Sequence, residues 1–181
     1  MKNTGTIKLE TERLILRKLK EDDYKEIYDT WTSDPDVSKY VEWNVHKDEN
    51  ETKELVNIWM KEYDNDYTYR WIVEEKSTNK IMGMIDVVRK AVPYKFCEIG
   101  YCYGKISWSK GYGTEALKKV IDYLHDEGFV VLEARHMKDN IGSGRVMEKA
   151  GMKYEATLQK RGIDKTGKWQ DVLYYSSIKE K

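Results

Sequence analysis

The sequence has 181 residues, in which 32 lysine and arginine residues balance 32 aspartate and glutamate residues. This length predicts one domain over residues 1–181, and zero net charge argues against nucleic-acid binding, which needs a basic surface. No apolar run reaches membrane-spanning length. The two cysteines, Cys97 and Cys102, lack metal-site spacing, and their odd separation on one predicted strand places them on opposite faces, unpaired. A cytoplasmic protein without a metal site is predicted.

Hydrophobic periodicity predicts strands and helices along the whole chain. Seven strands are predicted, at residues 13–19, 69–75, 81–89, 96–103, 130–137, 152–158 and 172–178. Four helices are predicted: one that ends at Asp34-Pro35, and others at residues 48–63, 111–127 and 140–150. Hairpins are mixed with one strand-helix-strand crossover. The pattern therefore predicts an α+β fold, a mixed sheet flanked by about four helices.

Spacing also predicts which side chains in the first two helices are buried. Ile27 and Trp31 lie one helical turn apart, which favours core packing for Trp31. Leu55, Ile58, Trp59 and Glu62 mark the faces of the second helix.

A glycine-rich turn joins strand 96–103 to the helix over 111–127. Its residues 108–116 read Trp-Ser-Lys-Gly-Tyr-Gly-Thr-Glu-Ala. Glycine lets the backbone approach a ligand, and the first amides of a helix lack partners and carry partial positive charge. The turn therefore predicts a phosphate or pyrophosphate site on the amides of residues 109–114.

A dinucleotide-binding protein is an alternative interpretation of the same turn. Gly111, Gly113 and Ala116 fit the spacing of that fingerprint, and Glu133 lies at the distance of its ribose-binding acid. Two features oppose it. Seven residues separate Tyr103 from Gly111, where the fingerprint has a tight turn, and the repeated strand-helix units of a doubly wound sheet are missing.

Further motifs lie downstream of the turn. Asn140-Ile141-Gly142-Ser143 is followed by Arg-Val-Met-Glu-Lys-Ala-Gly-Met at residues 145–152. With Gly-Tyr-Gly-Thr-Glu-Ala, they resemble the GNAT acyltransferase superfamily, and most closely its branch of ribosomal-protein N-terminal (alanine or serine) acetyltransferases. The opening at residues 11–17 and the late hairpin at 167–171 also resemble this branch, so the likeness covers nearly the whole chain in order.

The resemblance implies a fold and a cofactor. The sheet would be mostly antiparallel with a splayed strand pair, and acetyl-CoA or CoA would lie with its pantetheine arm in the splay. The implied cofactor-binding residues are Tyr101, Cys102, Tyr103, Trp108, Ser109, Lys110, Gly111, Tyr112, Gly113, Thr114, Asn140 and Ser143. Lys110 would add a point charge or be a solvated lysine, and Asn140 would bind pantetheine or cap the helix.

The resemblance also suggests catalytic groups. Ser143 would protonate the departing thiolate, or it is a first-turn serine that bonds backbone. Met147 stands where many GNAT enzymes have a tyrosine acid, so that acid is excluded. Glu98 is the predicted base, or it is a solvent-facing strand glutamate. His136 is its rival, or it is a structural histidine, and a water route is left open. Gly162 occupies the position of a glutamate that some ribosomal-protein enzymes use.

Two functions are carried forward. The first is acetyl-CoA-dependent N-acetylation of a primary amine, either a peptide N-terminus or a small-molecule amine, with Trp43 and His46 as acceptor-pocket residues. The second is a non-catalytic CoA-binding or sensor domain, which the substitutions at Met147 and Gly162 keep open. A homodimer is compatible with either function.

Overall fold

In the computed structural model, which describes residues 1–180, one eight-stranded sheet carries helices on both faces. The strands are β1 (Leu9–Glu10), β2 (Leu14–Arg17), β3 (Arg70–Glu75), β4 (Ile81–Ala91), β5 (Phe96–Tyr103), β6 (Val131–Met137), β7 (Lys153–Ile163) and β8 (Trp169–Ile178). The α-helices are α1 (Asp23–Ile27), α2 (Pro35–Ser38), α3 (Glu49–Glu62), α4 (Tyr112–Glu127) and α5 (Ile141–Lys149).

The sheet has the order β1-β2-β3-β4-β5-β6-β8-β7, and β5 with β6 is its parallel pair among antiparallel ones. Their ladder has only three residue pairs, the last of which is Glu98 with Glu133. Beyond it β5 stays paired with β4 as far as Tyr103, and β6 stays paired with β8 as far as Met137. The two strands therefore diverge, which confirms the mostly antiparallel sheet and the splayed pair.

Helices α4 and α5 cover one face of the sheet. The buried residues of α4 recur at helical spacing, among them Ala116, Leu117, Val120 and Leu124. They pack on strand residues that include Cys97, in a core that also takes in Met147 of α5. Met147 therefore packs in the core. Its thioether side chain has no proton to donate.

Helices α1, α2 and α3 cover the opposite face around a second core. Ile27 and Trp31 are fully buried in it, as their spacing predicted. Cys102 packs against this core while Cys97 belongs to the first, so the two thiols lie on opposite faces and both are free.

The structure corrects several details of the predicted elements. After α1 the first helix widens into a π-helical turn, Tyr28–Thr32, and Asp34 then caps α2, with Pro35 at its first position. Asp34-Pro35 thus starts a helix as well as ending one, because proline lacks the N–H that a first turn leaves unused. The strand β1 was not predicted.

Candidate active site

A cleft of about 630 Å³ opens where β5 and β6 diverge. Its walls come from α2 and the following loop, the second half of β5, the glycine turn and the start of α5. The lining residues are Asp36, Val37, Tyr40, Val41, Tyr101, Cys102, Tyr103, Ser107, Trp108, Ser109, Gly111, Gly113, Thr114, Asp139, Asn140, Ile141, Gly142, Ser143, Arg145, Val146 and Lys149.

The glycine turn has the backbone of an anion cradle. Ser109 and Gly111 both adopt left-handed conformations, with φ of 60° and 82°. Left-handed residues in such a turn direct neighbouring amides into one concavity. Gly111 is also the residue that precedes α4, whose first-turn amides lack helical partners. The turn therefore presents backbone donors and the positive end of a helix to the cleft.

The amino-terminal segment braces this turn through Glu115. The Thr11 hydroxyl and the Arg13 backbone N–H donate to Glu115 Oε1 at 2.5 and 2.9 Å. The Arg13 guanidinium donates to Glu115 Oε2 at 2.7 Å and to the carbonyl oxygen of Lys110 at 3.0 Å. Burial raises the pKa of Glu115, but these hydrogen bonds outweigh it and hold the pKa below its ordinary value. The opening motif and the glycine motif are thus in direct contact.

Helix α5 brings Ser143 into the cleft. Asn140 caps the helix, because its Oδ1 accepts from the Ser143 backbone N–H at 3.4 Å. This cap uses only the carbonyl side of the amide, so the Asn140 NH₂ group keeps its donors. At Gly144 the helix approaches β6 so closely that an added Cβ would lie 2.6 Å from His136 Nε2. Sequence analysis missed Gly144, whose signal was a glycine inside a predicted helix.

A tyrosine of β5 meets Ser143 across the cleft. Tyr101 Oη lies 2.9 Å from Ser143 Oγ and is equally close to the Ser143 carbonyl oxygen. Burial raises the pKa of Tyr101 above its ordinary value. Tyr101 was predicted to act mainly through its backbone, and its hydroxyl contact was not foreseen.

Most of the predicted cofactor-binding residues line this cleft. Lys110 and Tyr112 do not: Lys110 accepts from Arg13 through its backbone, and the Tyr112 hydroxyl bonds Glu75. Trp43 and His46, predicted for the acceptor pocket, also lie outside the lining. Trp43 packs against the second core, and His46 Nδ1 is 2.7 Å from Thr52 Oγ1. Tyr40 and Val41 of the same loop do line the cleft.

Glu98 lies at the point where the strands diverge, on the sheet face opposite α4, and it does not line the cleft. It is 5% exposed, and its two carboxylate oxygens accept from Arg89 Nε at 3.0 Å and Arg135 Nε at 2.7 Å. Arg89 also bonds Glu133. The like charges of Glu98 and Glu133, neighbours in the ladder, are therefore compensated by arginine.

His136 is also buried outside the cleft lining. Its Nδ1 donates to the Met137 carbonyl oxygen at 2.8 Å, so the lone pair is on Nε2, which has no hydrogen-bond partner within residues 1–180. Burial lowers the pKa of His136, so the ring is held neutral.

The fold excludes the dinucleotide-binding interpretation. The sheet is mostly antiparallel, whereas that fingerprint belongs to a doubly wound parallel sheet. Glu133, its proposed ribose ligand, bonds Arg89.

Within residues 1–180, no group of three or more His, Cys, Asp or Glu side chains is arranged to hold a metal ion. In the same residues, none of the helices is long and apolar enough to cross a membrane.

Residues 13–153 match the sequence family described as the acetyltransferase (GNAT) domain. The chain belongs to the GNAT acetyltransferase family. It is 33% identical to the uncharacterized protein YkkB of Bacillus subtilis (strain 168), over 84% of this chain and 89% of YkkB. It is 31% identical to the uncharacterized N-acetyltransferase YnaD of the same organism, over 94% of this chain and 96% of YnaD.

Solved GNAT structures share the fold. A GNAT-family acetyltransferase from Bacillus anthracis superposes with a TM-score of 0.81 at 28% identity, over 95% of this chain and 98% of that one. RimL, a ribosomal L7/L12 α-N-protein acetyltransferase solved with coenzyme A, superposes with a TM-score of 0.83 at 17% identity, over 93% and 95%. This GNAT chain is an acyltransferase, and acetyl-CoA is its acyl donor.

Proposed function

We propose that this protein transfers the acetyl group of acetyl-CoA to a primary amine, which is either a peptide N-terminus or a small-molecule amine. One observation carries the proposal. The β5–β6 ladder stops after three pairs and leaves two strand edges facing each other directly beside the glycine cradle. A linear thioester arm fits such a gap because it can take the place of a hydrogen-bonded strand.

The cleft fits CoA in three respects. Its volume of about 630 Å³ lies within the usual range of ligand sites. The Tyr103 hydroxyl, which is buried and has no partner within residues 1–180, is available to a ligand. The pyrophosphate would bind the amides of residues 109–114, with Lys110 as an added charge.

Arg13 supports the proposed cradle from outside the cleft. We expect Arg13→Ala to weaken CoA binding roughly tenfold, because the variant loses the hydrogen bond that fixes the Lys110 carbonyl and the ion pair with Glu115. Titration calorimetry with CoA measures the effect. Lys8→Ala is the control, since Lys8 forms an exposed ion pair with Glu10. Arg13→Ala and Lys8→Ala proteins of equal CoA affinity would show that the brace is irrelevant to binding.

The proposed chemistry is direct attack of the amine on the bound thioester. Free backbone amides of residues 101–103 would polarise the thioester carbonyl, and Ser143 would give its proton to the thiolate. Cys102 lines the cleft but does not suit an acyl-enzyme route. Burial raises the pKa of this thiol to about 12, so the nucleophilic thiolate is scarce at neutral pH.

The identity of the general base is a prediction with three candidates. Glu98 would act as base only after one guanidinium releases a carboxylate oxygen. His136 has a free lone pair on Nε2, but α5 backbone covers that atom. Deprotonation through water needs neither residue, and catalysis would then rest on positioning and on the strand amides.

Glu98→Gln separates these routes. If Glu98 is the base, the variant should lose turnover and shift the pH profile of kcat/KM. If Glu98 only anchors the two arginines, the melting temperature should fall and the profile should keep its shape. His136→Gln, measured in parallel, tests the rival base in the same way. Unchanged rates and profiles in both variants would exclude both side chains and leave the water route.

Two carboxylates line the cleft. Asp36 of α2 and Asp139 of the β6–α5 loop line it, beside the apolar Val37 and Val41 and the ring of Tyr40. Hydrogen bonds from Lys168 and Gln170 hold the pKa of Asp139 below its ordinary value, so this carboxylate is charged at neutral pH. Each carboxylate already pairs with a lysine, Asp36 with Lys105 and Asp139 with Lys168 at 3.0 Å, so an ammonium group would have to compete with a resident cation.

The direct test is acetyl-CoA consumption by the purified protein with a panel of peptides that have free N-termini and a panel of small amines. We expect turnover with members of one panel, which then names the acceptor class. CoA binding without turnover on either panel would count against both proposed acceptor classes. We further propose a cytoplasmic location, supported by the two free cysteines. A homodimer is to be tested by sedimentation equilibrium.

A further inference from the structure

Ser143 has one hydroxyl proton, and the direction in which that proton points depends on Tyr101. Within residues 1–180, Tyr101 Oη is the group that bonds Ser143 Oγ, at 2.9 Å, and it is equally close to the Ser143 carbonyl oxygen. The phenol also has a single proton. Two arrangements are therefore available. Either Tyr101 donates to the carbonyl and the serine donates to the phenol, or Tyr101 donates to Oγ and the serine proton is free.

Only the second arrangement leaves Ser143 able to act as an acid. In the first, the serine proton is directed at the phenol oxygen and away from the cleft. In the second, the serine oxygen accepts one hydrogen bond, and its own proton can point at a neighbouring acceptor. A hydroxyl that accepts a hydrogen bond also releases its proton more readily, because the bond stabilises the developing alkoxide.

We propose that Tyr101 is a positioning residue that donates to Ser143 Oγ and thereby directs the serine proton to the departing thiolate; this inference rests on the proposed acid role of Ser143. When the carbon–sulfur bond breaks, its electron pair stays on sulfur and takes the proton from Ser143 Oγ. The serine oxygen regains a proton from water, which balances the proton that the amine gives to solvent. Tyr101 keeps its own proton throughout.

The surroundings of Tyr101 suit a donor that does not itself ionise. Burial raises the pKa of the phenol, so it stays protonated across the working pH range. The position on α5 that resembles the usual tyrosine acid is Met147, which is buried in the core. A phenol is thus supplied from β5 instead, acting through Ser143. Gly144, the residue after Ser143, lies so close to β6 that an added Cβ would be 2.6 Å from His136 Nε2, so α5 packs tightly on the sheet at this point.

The test is a double-mutant cycle of Tyr101→Phe and Ser143→Ala in the full chain, with an acceptor from the panel above. Tyr101→Phe should lower kcat roughly tenfold while KM for acetyl-CoA, CoA affinity and the melting temperature stay near wild type. The double variant should be no slower than Ser143→Ala alone. Tyr175→Phe is the control, because it also loses a buried hydroxyl, one that bonds Glu148 outside the cleft, and it should keep wild-type kcat.

The outcomes separate this inference from the function on which it rests. Wild-type turnover in Ser143→Ala removes the acid role itself. A slow Ser143→Ala protein beside a wild-type Tyr101→Phe protein, or effects that multiply in the double variant, overturns the positioning role alone. If Tyr101→Phe is unstable, replacement of Tyr101 by 3-fluorotyrosine keeps the hydroxyl and makes it a stronger donor. That protein should retain kcat, and a loss similar to that of Tyr101→Phe would overturn the inference.

Discussion

Gly111→Val is expected to weaken CoA binding roughly tenfold to a hundredfold. Gly111 has a φ of +82° at the start of α4. A residue other than glycine in this left-handed conformation is strained by about 1–3 kcal/mol. The turn can relieve that strain by changing its backbone conformation, and its amides then no longer point at the ligand. Each 1.4 kcal/mol, approximately, is a factor of ten in the binding constant. Titration calorimetry with CoA on the folded variant measures the loss.

Gly167 offers a matched control for this prediction. It has the same φ of +82°, has nothing within 4 Å of an added Cβ, and lies in the turn between β7 and β8. Gly167→Val should therefore lower the melting temperature about as much as Gly111→Val does, but it should leave CoA affinity unchanged. If both variants bind CoA like wild type, the glycine turn is not the pyrophosphate cradle.

Ser143→Ala is expected to lower turnover by a factor on the order of 10² or less, the usual contribution of one general acid. CoA affinity should stay largely intact, because the proposed hydrogen bond strengthens only as charge develops on sulfur. Steady-state kinetics together with CoA titration separate the two effects. The alanine leaves the helix cap in place, since the cap uses the Ser143 backbone N–H.

The control for Ser143→Ala is Ser177→Ala, in β8. The Ser177 hydroxyl bonds His125 Nε2 at 3.0 Å and does not line the cleft, so its loss should leave turnover unchanged. Wild-type turnover in Ser143→Ala would mean that water protonates the thiolate and that Ser143 serves only the first turn of α5.

Local sequence determined the elements that build the cleft. Strand β5 has its predicted bounds, and α4 begins one residue after Gly111, because alternation, helical spacing and glycine act within a few residues. The glycine turn and Ser143 were identified on the same basis together with the family resemblance. The π-helical turn after α1, in which Trp31 is buried, was not predicted.

Only the tertiary structure decided which partners the candidate side chains have. The sequence shows Arg13, Glu98 and Tyr101 as a basic, an acidic and an aromatic residue without partners. Their partners Glu115, Arg135 and Ser143 lie 102, 37 and 42 residues further along the chain. Hydrogen bonds and ion pairs act over about 3 Å, so which groups meet depends on how the sheet twists and where α4 and α5 dock. The sequence by itself determined the glycine turn and the family. The packing of α5 against β5 and β6 decided that Ser143 faces a phenol, and the pairing of β5 with its neighbours decided that Glu98 is held by two arginines.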